Sequence, residues 1–244
     1  MNASATPFQA PERAPRWRAV AIVLATRLGF WQLDRAHQKI ALQAGIEARS
    51  HESALDVAAL ARTPAAAATQ QHRPVIVRGR WLAERTVFLD NRQMDGKVGF
   101  YVVTPLALDP GPGALLVERG WAPRSFSERT ALPPVQTPAG LVTVEGIVAS
   151  SPARLFEFAG AASGPIRQNL DIASFARETG LDLLPISVVQ HESRSATADG
   201  LVRHWPAPAA DVQKHYGYAV QWFAIAAGIA ILYVWHRFIR PGKP

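Results

Sequence analysis

The stretch TVFLDNRQMDGKVGFYVVTPL, residues 86–106, contains two runs rich in valine, leucine and aromatic residues on either side of Asp95-Gly96. β-Branched and aromatic residues favour strands, and an Asp-Gly pair between two such runs is a strong local signal for a tight hairpin. The stretch therefore predicts two antiparallel strands joined at Asp95-Gly96, and it indicates a β-rich domain around them.

Stretches of similar composition occur before and after this hairpin, bounded by glycine, proline, aspartate or asparagine. They are PVIVRGRW (74–81), ALLVERGW (114–121), LVTVEGIVAS (141–150) and LPISVVQHES (184–193). IASFARETG (172–180) predicts a helix with Asp171 as its N-cap and Gly180 just past its end, and the alanine-rich residues 63–74 predict a connector. Five or six antiparallel strands with one or two helices predict an α+β domain built on a small antiparallel barrel or curled sheet.

The C-terminal part of the chain is apolar. In YAVQWFAIAAGIAILYVW, residues 218–235, Gln221 is the one strongly polar side chain, and about 18 apolar residues are long enough to cross a bilayer. The spacing Ala224-x-x-x-Gly228 predicts a face for close packing against another helix. A buried core helix is the alternative, but the uninterrupted length and the basic tail favour a membrane span.

The N-terminal apolar segment is weaker. Its uninterrupted run covers residues 19–25 and is followed by Arg27, and an arginine in the middle of a span opposes insertion by about 2.5–3.5 kcal/mol. Snorkelling of Arg27 or pairing with the second helix would offset that cost. We expect an uncleaved anchor, with a cleaved signal peptide as the alternative, and a helix that continues through residues 34–50.

Basic residues lie just before the first apolar segment and just after the second: Arg13, Arg16, Arg18, Arg237, Arg240 and Lys243. Positive charge holds flanking segments in the cytoplasm, so both termini are expected there and the middle outside. The predicted organisation is a cytoplasmic tail (1–18), a first transmembrane helix (19–35), an extracytoplasmic β-rich domain (36–211), a second transmembrane helix (212–236) and a cytoplasmic tail (237–244).

Charge and cysteine content exclude several classes of function. The formal net charge is +7, but residues 1–27 and 237–244 carry +3 each, which leaves a nearly neutral middle. That distribution argues against a nucleic-acid-binding surface. The chain has no cysteine, so disulfides, thiolate metal sites and covalent heme attachment are excluded, whereas heme held by histidine is not.

Four strings occur in order along nearly the whole chain: GFWQLDRAHQK (29–39), residues 77–106, LLVERGWAP (115–123) and HYGYAVQWFAIA (215–226). Together they resemble the surfeit locus protein 1 family. The resemblance implies a bacterial inner-membrane assembly factor for cytochrome c oxidase, not an enzyme, that assists delivery of heme A. The partners it implies are the large core subunit of the oxidase, heme A synthase and the lipid bilayer.

His215 is the candidate heme-iron ligand, because it aligns with the histidine at the mouth of the family's second membrane helix. Neutral imidazole ligates heme iron, and helical spacing places Tyr218 and Trp222 near it, where a flat macrocycle could lie. The alternative is that histidine and aromatic residues simply suit a membrane interface. A scaffold that stabilises an oxidase intermediate without heme is the rival function.

Other polar residues have weaker claims. The turn-rich stretches around Arg92 and Arg119 are explained mainly by hairpin chemistry, with pairing to heme propionates or to a partner as the alternative. His37 would approach His215 if the two helices pack together. The chain contains none of the nucleophile-elbow, phosphate-loop or zinc-protease motifs of common hydrolases.

Overall fold

The computed structural model describes residues 16–125, 128, 131–152, 154–155, 163–192, 199–206 and 212–239. The chain divides into a barrel domain, Gly45–Ala207, and a helical unit formed by the segments on either side of it. The barrel domain carries the strands that the sequence predicts, and the helical unit carries the two apolar segments.

Seven strands lie in the described part of the barrel domain. They are β1 (Pro74–Trp81), β2 (Val87–Met94), β3 (Lys97–Leu108), β4 (Ala114–Pro123), β5 (Leu141–Ala149), β6 (Ile166–Arg167) and β7 (Leu183–Gln190). They follow the order β1-β5-β7-β4-β3-β2-β6, and β1 also pairs with β3. That extra pairing closes β1, β5, β7, β4 and β3 into a five-stranded barrel, while β2 and β6 extend the sheet beyond it.

Two short backbone features produce this arrangement. Asp95 and Gly96 both have positive φ, 50° and 73°, as the tight turn between β2 and β3 requires, so the predicted hairpin is confirmed. Gly79 lies where β1 meets β3, and a Cβ at this position would collide with the carbonyl oxygen of Ala107. A glycine is therefore needed where the barrel closes.

The prediction of a purely antiparallel sheet is wrong in two pairings. β4 and β7 run parallel, with Leu116 opposite Ser187, and β2 and β6 run parallel, with Phe88 opposite Ile166. Strand composition does not reveal direction, because pairing partners far apart in the chain are chosen by the packing of the whole domain.

The predicted connector at residues 63–74 is also wrong, because Pro64–Gln70 forms a helix, α2. The hydroxyl of Thr63 accepts a hydrogen bond from the Ala66 N–H, and Pro64 occupies the first turn. A threonine cap, a proline in the first turn and a run of alanines together favour a helix, and this signal was present in the sequence. α2 buries Ala67 against the barrel core.

The barrel interior is filled by aliphatic side chains from all five barrel strands, among them Val77, Leu106, Leu115, Val148 and Ile186. A second apolar cluster lies under helix α3 (Ile172–Thr179) and contains the buried Phe175. α3 begins and ends as predicted: the Asp171 carboxylate accepts from the Ser174 N–H, and Gly180 follows in the left-handed conformation with φ of 71°.

The helical unit contains the N-terminal part of α1 (Arg16–Ser50) and α4 (Val212–Val234), which continues as a π-helical turn, Trp235–Ile239. α1 is one continuous helix, so the expected continuation through residues 34–50 is confirmed. Among the described residues, α4 is the one helix apolar and long enough to cross a membrane by length and composition. Its 23 residues reach about 35 Å, compared with about 30 Å of hydrocarbon.

Within this unit the two helices run antiparallel. The Phe223 ring of α4 packs edge-on against Phe30 at 5.2 Å between ring centroids, and a Cβ on Gly29 would lie 2.6 Å from Phe223 Cε1. α1 does not pack against the face of α4 that Ala224 and Gly228 predict. Ala224 is exposed, and a Cβ on Gly228 would meet no atom within 4 Å. The small buried residues come from both helices: Gly29 on α1, and Ala219 and Ala226 on α4.

Candidate functional site

His215 lies in the first turn of α4 and is half-buried. Its Nδ1 is 2.7 Å from Oε1 of Gln32 on α1. An amide oxygen accepts hydrogen bonds, so this contact favours an imidazole that carries a proton on Nδ1. A neutral imidazole protonated on Nδ1 keeps its lone pair on Nε2, and this is the form in which histidine binds a metal.

The residues predicted beside His215 do not all lie on one side of the helix. Ala219, one turn further along α4, is buried, and Trp222 is half-buried. Tyr218 is 52% exposed and lies at the edge of the stripe rather than within it. The structure places Gln32 of α1 beside His215, where the sequence suggested His37.

Gln32 could have been found from the spacing of small residues on α1. Ala25, Gly29 and Ala36 are all buried, and Gln32 falls on the same face at intervals of three and four residues. A polar side chain in a row of small buried residues on an apolar helix indicates an interhelical hydrogen bond. The weak overall hydropathy of this segment hid that pattern.

Both helices expose large apolar side chains. On α1 they are Trp17, Val20, Val23, Leu24, Leu28, Phe30 and Trp31, and on α4 they are Tyr218, Val220, Ile225, Ile231, Leu232 and Val234. Apolar patches of this extent are uncommon on monomeric proteins in water and indicate contact with a membrane or a partner. The donor set at His215, an imidazole nitrogen beside apolar and aromatic side chains, fits the requirements of a heme ligand.

Arg119, which the sequence offered as a contact for heme propionates, is engaged inside the barrel domain. Its side chain is 1% exposed, and Nη2 lies 3.3 Å from Oδ2 of Asp199. The same carboxylate oxygen is 2.6 Å from Nη2 of Arg203. Burial lowers the pKa of Arg119, and the nearby Asp199 carboxylate opposes this shift.

Further contacts explain why Arg119 is buried. Its Nη1 donates to Thr137 Oγ1 at 2.7 Å and its Nη2 donates to the Gln136 carbonyl at 2.8 Å, while the guanidinium lies 4.6 Å from the centroid of the Trp81 ring. Together with the ion pair to Asp199, these contacts fasten two chain segments, at residues 136–137 and at Asp199, to the barrel. Arg119, Asp199 and Arg203 are called the buried ion cluster below.

Arg92 also has a structural environment. Its Nη2 donates to the Gln168 carbonyl at 2.7 Å, and its own carbonyl accepts from the indole N–H of Trp121 at 3.0 Å. The guanidinium lies 5.6 Å from the centroid of the Tyr101 ring, and burial lowers its pKa. Neither arginine is therefore presented on the surface of the domain.

Three further histidines of the barrel domain, His72, His191 and His204, have separate environments. Burial lowers the pKa of both His72 and His191, while the exposed His204 pairs with Asp95 at 2.9 Å, which raises the pKa of His204. In the part of the chain that the structure describes, no three histidine or carboxylate side chains come together in a way that would hold a metal ion.

Fold and site together define a class: a β-rich domain with a closed five-stranded barrel, followed by an apolar helix of membrane-spanning length that carries a histidine in its first turn. A model of the SURF1 family matches residues 19–227, a range that includes both Gln32 and His215. The chain belongs to the SURF1 family, which confirms the resemblance seen in the sequence.

Individual relatives agree with this assignment. A SURF1-like protein of Rickettsia bellii is 26% identical over 227 residues, covering 88% of this chain and 86% of the relative. A SURF1-like protein of Rickettsia felis is 25% identical over 226 residues, covering 89% of this chain and 94% of the relative. The cytochrome oxidase assembly protein SHY1 of Saccharomyces cerevisiae is 28% identical over 99 residues, covering 41% of this chain and 25% of SHY1.

Proposed function

We propose that this protein is a membrane-anchored assembly factor for cytochrome c oxidase that binds heme A through His215 and assists its delivery to the large core subunit. The observation that carries the assembly role is the family match over residues 19–227, with a relative in yeast that is named as an oxidase assembly protein. The protein acts as an accessory factor and not as a catalyst.

The heme part of the proposal rests on the chemistry at His215. The contact with Gln32 favours a proton on Nδ1, which would leave the lone pair of Nε2 to hold the iron. Bound heme A would supply an iron that His215 would hold through an imidazole nitrogen. The exposed apolar side chains of α1 and α4 provide surroundings in which a macrocycle is shielded from water.

The membrane arrangement is part of the same proposal. Both helices cross a bacterial inner membrane, both termini are cytoplasmic, and residues 36–211 lie on the outer side, in agreement with the basic residues that flank the two segments. His215 then lies at the outer end of α4. A reporter fused to the C-terminus and active only in the cytoplasm tests this arrangement, and activity outside the cytoplasm would overturn it.

The heme proposal is tested by the absorption spectrum of the protein purified in detergent from cells that make heme A. We expect a Soret band in the parent protein and a much weaker band in His215→Ala. His236→Ala is the matched control, because His236 is exposed on the turn that continues α4 at the opposite end, and this variant should keep the band.

A parent protein without a Soret band, or a His215→Ala variant with an undiminished one, would overturn heme ligation by His215. The assembly role has a separate test. Cells without this protein should contain less assembled oxidase, measured as heme a in their membranes, and the parent gene should restore it. Restoration by His215→Ala to the full parent level would favour a scaffold that does not use heme.

A further inference from the structure

The contact between Gln32 and His215 joins two polar side chains on the two apolar helices. Both are half-buried, and the hydrogen bond between them is short, 2.7 Å. A surface histidine at a membrane interface would not need a partner on another helix. The hydrogen bond to Gln32 therefore restricts the protonation of the imidazole as well as its position.

That constraint is the tautomer. Free histidine can carry its proton on either ring nitrogen. In a folded protein, the hydrogen bonds that the two ring nitrogens make decide which one is protonated. The Gln32 Oε1 atom accepts only, so the form with a proton on Nδ1 is favoured and Nε2 is left with its lone pair. The opposite tautomer would place a lone pair against the amide oxygen.

The helix packing holds Gln32 in register with His215. Gly29, one turn before Gln32, lies directly against the Phe223 ring, and a side chain at this position would clash with that ring. Phe30 contacts the same ring from the neighbouring position. Because these contacts fix how far α1 is shifted along α4, the amide of Gln32 meets the imidazole at a defined height.

We propose that Gln32 is the positioning residue for the ligand: it holds His215 in the tautomer with a proton on Nδ1 and presents Nε2 to the iron. The identity of the metal group rests on the proposed function, whereas the tautomer does not. In metal sites a hydrogen bond donated by the second ring nitrogen fixes the ring and raises its basicity, and the loss of that bond weakens metal binding about 10- to 100-fold.

The first experiment does not involve heme. The protein labelled with ¹⁵N-histidine is studied by NMR in detergent at alkaline pH, and the His215 signals are assigned by their loss in His215→Ala. We expect a protonated Nδ1 and an unprotonated Nε2 in the parent protein. Gln32→Met, which removes the acceptor at similar volume, should give a mixture of tautomers, and Gln32→Glu, which keeps an acceptor oxygen, should retain the parent state.

The second experiment measures the affinity for hemin and for heme A extracted from an oxidase. Gln32→Met should bind both about 10- to 100-fold more weakly than the parent, with Gln32→Glu close to the parent. Gln221→Met is the matched control, because it makes the same substitution at an exposed position of α4, and its affinity should not change. Far-ultraviolet circular dichroism verifies that each variant has kept its helices.

The outcomes separate the two proposals. A parent His215 protonated on Nε2 overturns the role of Gln32 whatever the heme result. A parent that does bind hemin, but no more tightly than Gln32→Met, also overturns it. A parent with the expected tautomer that binds neither hemin nor heme A supports the assignment of Gln32 and overturns heme binding as the function of the site.

Discussion

Replacing Asp199 by asparagine changes the charge of one buried side chain while leaving its shape almost unchanged. The carboxylate is 6% exposed and holds two guanidinium groups, at 3.3 Å from Arg119 and 2.6 Å from Arg203, which are themselves 1% and 6% exposed. In Asp199→Asn both positive charges stay buried without the negative charge that compensates them.

Breaking a buried ion pair by neutralising one partner costs about 3–5 kcal/mol in the free energy of unfolding. A domain of this size loses about 2–4 °C of melting temperature per kcal/mol, so the expected decrease is about 6–20 °C. The assay is thermal unfolding of the full chain in detergent, followed by near-ultraviolet circular dichroism of the tryptophans packed within the barrel domain.

Two variants separate charge from packing. Asp95→Asn makes the same substitution at an exposed carboxylate in a turn that asparagine also favours. When the assay is run above the folded pKa of His204, where the ion pair between His204 and Asp95 no longer contributes, this variant should leave the melting temperature unchanged. Adding Arg203→Met to Asp199→Asn removes one of the two uncompensated charges and should recover part of the loss. A decrease of less than about 2 °C on Asp199→Asn corresponds to about 1 kcal/mol or less in the free energy of unfolding. Such a small decrease would refute the reasoning, and so would a double variant that is less stable than the single variant.

Three further predictions concern single sites. Gly79→Ala should lower the stability of the barrel domain by about 1–3 kcal/mol in the same melting assay, because its Cβ collides with a carbonyl of β3, and an unchanged melting temperature would contradict this account of barrel closure. Gly29→Ala should weaken the contact between α1 and α4, measured by distance restraints between spin labels, because the facing phenylalanine ring must move. Gly45→Ala in the same helix meets no atom within 4 Å and is its control. The pKa of His204 is raised by Asp95, so this ion pair stabilises the folded state below the unfolded pKa of histidine, and that stabilisation is lost as the pH rises through the folded pKa. An NMR titration should give a lower His204 pKa in Asp95→Asn, and equal values in the two proteins would refute the pairing.

Local features of the fold could be predicted from the sequence, because each has a cause within a few residues. The turn at Asp95 and Gly96 needs positive φ at both positions, and Asp171 and Gly180 satisfy the backbone groups at the two ends of α3. The run Thr63-Pro64 before four alanines was a signal of the same kind, and it was overlooked because an alanine-rich polar stretch also fits a connector.

Features that depend on distant parts of the chain could not be predicted. The parallel pairing of β4 with β7 depends on how the whole barrel closes, and no property of either strand specifies it. The partner of Arg119 is Asp199, which lies 80 residues away, so the sequence left a ligand contact open as an alternative where the structure has an internal ion pair. Gln32 was missed for the same reason, because its partner lies 183 residues further on.

The two units distribute polar and apolar side chains in opposite ways. The barrel domain encloses an aliphatic core, and the charges it does bury, such as Arg119, have a counter-charge beside them. α1 and α4 expose large apolar side chains and shelter the hydrogen bond between Gln32 and His215. This inverted pattern is expected where lipid, and not water, surrounds a pair of helices, because an unsatisfied polar group in hydrocarbon is costly.

That pattern bears on α1, whose hydropathy is below that of the membrane-length helix α4. Arg18, Arg27 and Asp34 lower its average, yet the side chains between them that face outward are mostly apolar and aromatic. Arg27 is exposed, so its long side chain is free to extend towards an interface while its stem stays among apolar groups. The exposure of α1, more than its composition, therefore supports the proposal that both helices enter the membrane together.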